Sequence, residues 1–146
     1  MLRGGAALAT VFLCSVLVLT KKDPERCGQD VIIRVRDLIQ KAPKLKWLDT
    51  RLYTPSTADS QPNCIASNLN CFAAEANVLH KEWEKVGEEM QDELEKMLQT
   101  LATSVNKIVS PDSTCLQCEL LQEKNAETFL SELLSTLQSV QSRFCH

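Results

Sequence analysis

The sequence predicts an all-α chain in which four amphipathic helices form one disulfide-stapled bundle. Three observations carry that expectation. Four stretches repeat apolar residues at three- and four-residue intervals, the period of a helix with one buried face. Aromatic residues make up only 5% of the 146, beside four glycines and five prolines, a composition that favours helices over strands and turns. Seven cysteines are present, and six of them lie beyond an apolar N-terminal run.

That run spans Ala6–Leu19, with Arg3 before it and the polar KKDPER segment after it. At 14 residues it is short for a membrane span, which needs about 20. It has the build of a signal peptide, a basic n-region followed by an h-region. Residues 1–20 are therefore expected to be a cleaved leader, and 21–146 the mature domain. Cleavage removes Arg3 and Cys14, leaving 15 basic against 19 acidic side chains, a charge of −4. Such a chain is a poor nucleic-acid binder and suits a partner with a basic face. No Asn-x-Ser/Thr acceptor follows the leader.

The first helix is expected over about Gln29 to Lys41, with Ile32, Val35, Leu38 and Ile39 inward and Pro43 limiting its end. A long connection, 43–63, follows with Pro43, Pro55 and Pro62. It also holds Trp47, Leu48, Leu52 and Tyr53, which must reach a core or a partner. Asn63 is a good N-cap for a second helix lined by Ile65, Leu69, Phe72, Ala73, Ala76, Leu79, Trp83 and Val86. Gly87 marks a turn, and a third helix carries a seam from Met90 through Leu94, Leu98, Leu101 and Val105 to Ile108. Acids from Glu82 to Glu95 crowd this corner, either as a solvated face or as a docking face for a basic receptor. Thr114 and Gln117 have capping-box spacing, so the fourth helix is expected to begin there. It continues through Phe129, Leu130, Leu133, Leu134, Leu137, Val140 and Phe144. The long first connection requires a crossover and argues against a simple up-down-up-down order.

Six cysteines in an exported chain read as a disulfide framework. Cys64 and Cys71 share one helical face, as Cys115 and Cys118 would, so two rungs can join the second helix to the entrance of the fourth. Spacing leaves both pairings of those four open. Cys27 and Cys145 flank the first and fourth helices at one end of the bundle, and a Cys27–Cys145 bond is expected. A four-cysteine zinc site is disfavoured by the wide first spacing, and a redox C-x-x-C by the missing βαβ setting. With His80 and His146 the only histidines, and no phosphate loop or nucleophile elbow, neither catalysis nor a cofactor is expected.

Four segments resemble a known family. DLIQ (Asp37–Gln40), LYT (Leu52–Thr54), C-x6-C-F (Cys64–Phe72) and C-x-x-C-E-x-x-x-E-K-N-x-x-x-F-L (Cys115–Leu130) stand in the order found in the interleukin-15 branch of the interleukin-2/15/21 cytokines. The resemblance covers essentially the whole mature chain. The short leader and the extra Cys27/Cys145 pair lean toward the interleukin-15-like members of that branch.

The resemblance implies a short-chain, up-up-down-down cytokine bundle with Cys64–Cys115 and Cys71–Cys118 bonded. It implies a secreted, monomeric stimulator of lymphocytes, held by a sushi-domain alpha receptor and signalling through beta and common gamma chains. The family's alpha-receptor contacts fall on Asp49, Tyr53, Glu75, Val78 and Glu82, and its gamma-chain glutamine falls on Gln138. The beta-chain aspartate does not carry over: Val31 stands in its place, so that contact is expected on the adjacent Asp30 and on Glu95. An alternative of another class is a secreted six-cysteine helical carrier of small apolar ligands, like insect odorant-binding proteins, although their C-x-x-x-C pair is missing here.

Overall fold

The computed structural model describes residues 28–45, 49–56, 61–85, 93–110 and 114–145. Residues 1–20, expected to be a leader, Cys27 with its expected bond to Cys145, Trp47, Leu48, Val86, Gly87 and Met90 lie outside them. Four helices dominate: α1 (Gln29–Lys41), α2 (Ile65–Glu84), α3 (Glu93–Ile108) and α4 (Ala126–Phe144). None of the described helices is long and apolar enough to cross a membrane.

Each helix buries the stripe its periodicity marks. Val31, Ile32, Val35 and Leu38 of α1 face inward, as do Leu94, Leu98, Leu101 and Val105 of α3. Ile108, expected to end the α3 seam, is instead exposed. The centre is filled by large side chains that water does not reach: Trp83 and Phe72 from α2, and Phe129, Leu130, Leu133 and Leu137 from α4. The Phe72 and Phe129 rings meet at 5.4 Å in a tilted arrangement. Such a pair adds about 1 kcal/mol beyond its buried area.

α2 packs most extensively on α3, and α1 on α4. Gly28 enters α1 with φ +75°, a conformation that costs a Cβ-bearing residue. A Cβ there would also stand 3.3 Å from Leu101 of α3 and 3.8 Å from Leu137 of α4. Further along α1, Arg34 reaches Glu93 at the start of α3, 3.2 Å away. The neighbours on α3 thus run backward as α1 runs forward, so these two helices point in opposite senses. At the Gly28 end of α1, Gln141 of α4 donates to Gln29 at 2.8 Å.

The stretch before α4 departs from expectation. Residues 115–124 are not helical, apart from one 3-10 turn, Cys118–Leu120. No α-helix begins at Thr114 or Gln117. The cap of α4 is Asn125, whose side chain accepts the Thr128 N–H at 2.8 Å. The reason is the length of the cysteine ladder. Cys64 bonds to Cys115 and Cys71 to Cys118, with Cα–Cα distances of 5.5 and 5.3 Å. Seven residues along a helix rise about 10.5 Å, but three residues rise only about 4.5 Å. Three extended residues span about 10 Å. Cys115 can reach both rungs with Cys118 only if the chain between them is stretched, and Gln117 is indeed extended. Asn125→Ala should therefore cost about 1 kcal/mol in a denaturant melt. Gln117→Ala, at an exposed position ahead of the 3-10 turn whose side chain makes no cap hydrogen bond, should stay within about 0.5 kcal/mol.

Composition gave no sign of strands, yet two short ones pair. β1 (Leu52–Tyr53) from the first connection runs antiparallel to β2 (Glu123–Lys124), with Leu52 opposite Lys124 and Tyr53 opposite Glu123. Leu52 is fully buried, so the long connection is pinned to the core at this point. α2 is entered through a 3-10 turn, Pro62–Cys64, which puts Cys64 rather than Asn63 at the α-helical N-cap.

Candidate functional site

The ribbon and α2 together form one surface. Glu75, Val78 and Glu82 lie at intervals of three and four residues, one stripe of α2. Val78 is 40% exposed, unusual for an apolar residue in mid-helix. The Glu75 carboxylate accepts the Tyr53 backbone N–H at 3.2 Å. The structure therefore joins two of the residues expected to meet an alpha receptor, one from the connection and one from the helix. Asp49 is exposed four residues before Tyr53. Glu82 pairs with Lys85 at 3.2 Å. Both partners are solvent-facing, so this pair contributes little to stability and leaves the carboxylate available.

Two acids absent from the expected set complete the surface, Glu119 and Glu123. Both are exposed, and both act on Glu75 through their charge. The signal that could have found them is the ladder itself: Cys71–Cys118 brings Glu119 beside the turn of α2 that carries Glu75. Burial holds the Glu75 carboxyl above its ordinary range, the Tyr53 N–H opposes that rise, and Glu123 and Glu119 add to it. The sign follows from linkage. A carboxyl whose folded pKa is raised favours the fold most below its unfolded pKa, and that contribution is lost as pH rises through the folded value. At neutral pH the ionised Glu75 is thus a cost to the fold. Glu75→Gln should melt higher than the parent at pH 7, with the difference shrinking as pH falls toward 4, measured by thermal melts across pH.

The residues expected to contact the signalling chains lie elsewhere. Gln138 is exposed on α4, one turn before Gln141. Asp30 lines a surface groove of about 720 Å³ between α1 and α3, together with Ile33, Arg34, Asp37, Glu93 and Lys96. Glu95 is not among the residues that line it; it sits on α3 and accepts from Gln99 at 3.4 Å. The structure thus does not bring Asp30 and Glu95 into one groove. Ile33 stands in that groove 57% exposed. Sequence reasoning passed it over, although an apolar residue out of register with Ile32, Val35 and Leu38 was a usable signal.

The four ladder cysteines are spent in disulfides, which removes them as thiolate ligands or nucleophiles. Among the described residues no cluster of three or more His, Cys, Asp or Glu is placed to hold a metal. The geometry offers two separate exposed patches on the bundle, one on the ribbon and α2 and one along the groove between α1 and α3. A disulfide-stapled four-helix bundle of this kind matches the architecture of a helical cytokine. The family model described as Interleukin 15 matches residues 10–141, and the chain belongs to that family. A search of curated proteins finds no match to the chain. Membership makes the protein a cytokine of a non-enzymatic signalling family, whose partners are cytokine receptors.

Proposed function

We propose that the mature chain is a secreted, monomeric cytokine that docks on a sushi-domain alpha receptor through the ribbon and α2. It then recruits beta and common gamma chains to stimulate lymphocytes. The observation that carries this reading is the joined surface of Tyr53, Glu75, Val78 and Glu82, widened by Glu119 and Glu123. Carboxylates around a tyrosine and an exposed valine suit a basic partner with a small apolar centre. Secretion is supported by the leader-like residues 1–20 and by cysteines that are oxidised. The opposite senses of α1 and α3, with a long first connection, support the up-up-down-down order. A core filled by Trp83, Phe72, Phe129 and leucines favours this reading over a carrier of apolar ligands.

The direct test is binding of the purified protein to the alpha, beta and gamma ectodomains, each presented separately. Strong capture by alpha alone, with beta and gamma joining afterwards, is expected; no capture by alpha would defeat the reading. For the gamma surface, Gln138→Lys should reduce signalling about tenfold or more while leaving alpha binding intact, because a buried interface amide gives way to an unpaired charge. Full activity of that variant would remove Gln138 from the gamma interface. For the beta surface, Asp30, Glu95 and the exposed Ile33 are the contacts to vary.

A further inference from the structure

We infer that Glu75 serves receptor recognition as a positioning residue, a clamp that holds the Tyr53 ribbon against α2, more than as a charge offered to the receptor. The inference deepens the alpha-receptor reading above and rests on it.

A two-stranded ribbon is marginal by itself in water. In an antiparallel pair, residues alternate between those that exchange backbone hydrogen bonds and those whose amides point outward. Thr54 N–H donates to Gln122 O at 2.9 Å, which makes Thr54–Gln122 a bonded pair. By alternation Tyr53–Glu123 is an outward-pointing pair. Its backbone groups would be left to water or to nothing. Instead two of its four outward groups are met by side chains: Tyr53 N–H donates to Glu75 at 3.2 Å, and Glu123 O accepts from Arg51 at 3.1 Å. The Glu75 bond is the one that crosses from the ribbon to a helix, and it spans 22 residues.

The consequence is geometric. Tyr53 and Glu123 ride on the ribbon, whereas Val78 and Glu82 ride on α2. A partner that touches both sets needs their relative position fixed beforehand, or must supply the ordering free energy as it binds. Glu75 is half-buried at the joint between them. Two effects oppose each other there: burial disfavours its charged form, and the Tyr53 N–H it accepts favours that form.

The two roles separate on an acceptor that carries no charge. Glu75→Gln keeps an oxygen for the Tyr53 N–H, and Glu75→Ala does not. Binding to the immobilised alpha-receptor ectodomain should fall about tenfold or more for Glu75→Ala, in line with lost preorganisation. It should recover to within about threefold of the parent for Glu75→Gln. Hydrogen exchange on the free protein should show the Tyr53 amide about tenfold faster in the Ala variant and unchanged in the Gln variant. If Glu75→Gln binds as weakly as Glu75→Ala while its Tyr53 amide stays protected, the charge is the contact and the clamp is overturned. That comparison of Gln with the parent stands even if the Ala variant folds poorly. Glu82→Lys is the separate check on the surface. If it leaves alpha binding unchanged, the alpha-receptor reading fails; if it weakens binding while Glu75→Gln also does, only the clamp fails.

Discussion

Removing both cysteine rungs is expected to unfold the bundle, whereas removing one leaves it folded but weakened. Cys64–Cys115 and Cys71–Cys118 close stretches of 51 and 47 residues. Taken alone, either closure restrains the unfolded chain by about 4 kcal/mol in the loop-entropy account. The two are not independent. With one rung in place the other closes only the short circuit through 64–71 and 115–118, roughly a ten-residue loop worth about 3 kcal/mol. Opening one rung should therefore cost about 3 kcal/mol, and opening both about 7. A domain of this size holds about 5–15 kcal/mol in all. Cys71→Ala carries an added packing loss because Cys71 is 5% exposed, so the Cys71/Cys118 pair should be the costlier to remove. Guanidinium melts of the two double-Ala variants and the quadruple variant test this. A quadruple variant as stable as either double would contradict the ladder's structural role.

Glu82→Lys is expected to weaken alpha-receptor binding about a hundredfold. The substitution removes an attraction to a basic partner and installs a like charge in its place, a change worth several kcal/mol at a close interface. It also sets two lysines, 82 and 85, against each other where an ion pair now stands at 3.2 Å. Most of the exposed part of the effect should appear in the association rate and fade at high salt. Glu84 provides the control. It lies two residues on, about 200° around α2, and pairs with His80 at 2.7 Å on another face. Glu84→Lys should leave alpha affinity within about threefold. Surface-plasmon measurements at two salt concentrations decide it, and equal losses for both variants would point to a diffuse field rather than a surface on this stripe.

Much of the architecture was legible in the residues. Helix α1 begins and ends where its periodicity and Pro43 imply, and the buried lines of α2 and α4 are those the three-and-four spacing marks. The segment from Cys115 to Lys124 was not legible in the same way. Leu116 and Leu120 stand four apart and mimic a helical face, yet they are 60% and 68% exposed. Their spacing was an accident of composition that the ladder overrode. The β-ribbon was invisible for a related reason: two-residue strands carry no period, and their partners lie about 70 residues apart in sequence.

The sequence by itself determined the helices, their inward faces, the even set of cysteines beyond the apolar N-terminal run and the acidic character of the second helix. These follow from local rules, in which each residue answers to neighbours three or four positions away. Residue spacing left open which cysteines bond, and the structure shows the pairing that the family resemblance implied; only the tertiary structure decided that residues 115–118 are drawn out between two rungs and that Glu75 meets Tyr53. Those outcomes depend on distances through space: about 10 Å between rungs on α2 against the reach of three residues, and one outward amide that needed an acceptor. The surface proposed for the alpha receptor belongs to this second kind, because it is assembled from a connection, a helix and a ribbon that the chain brings together only when folded.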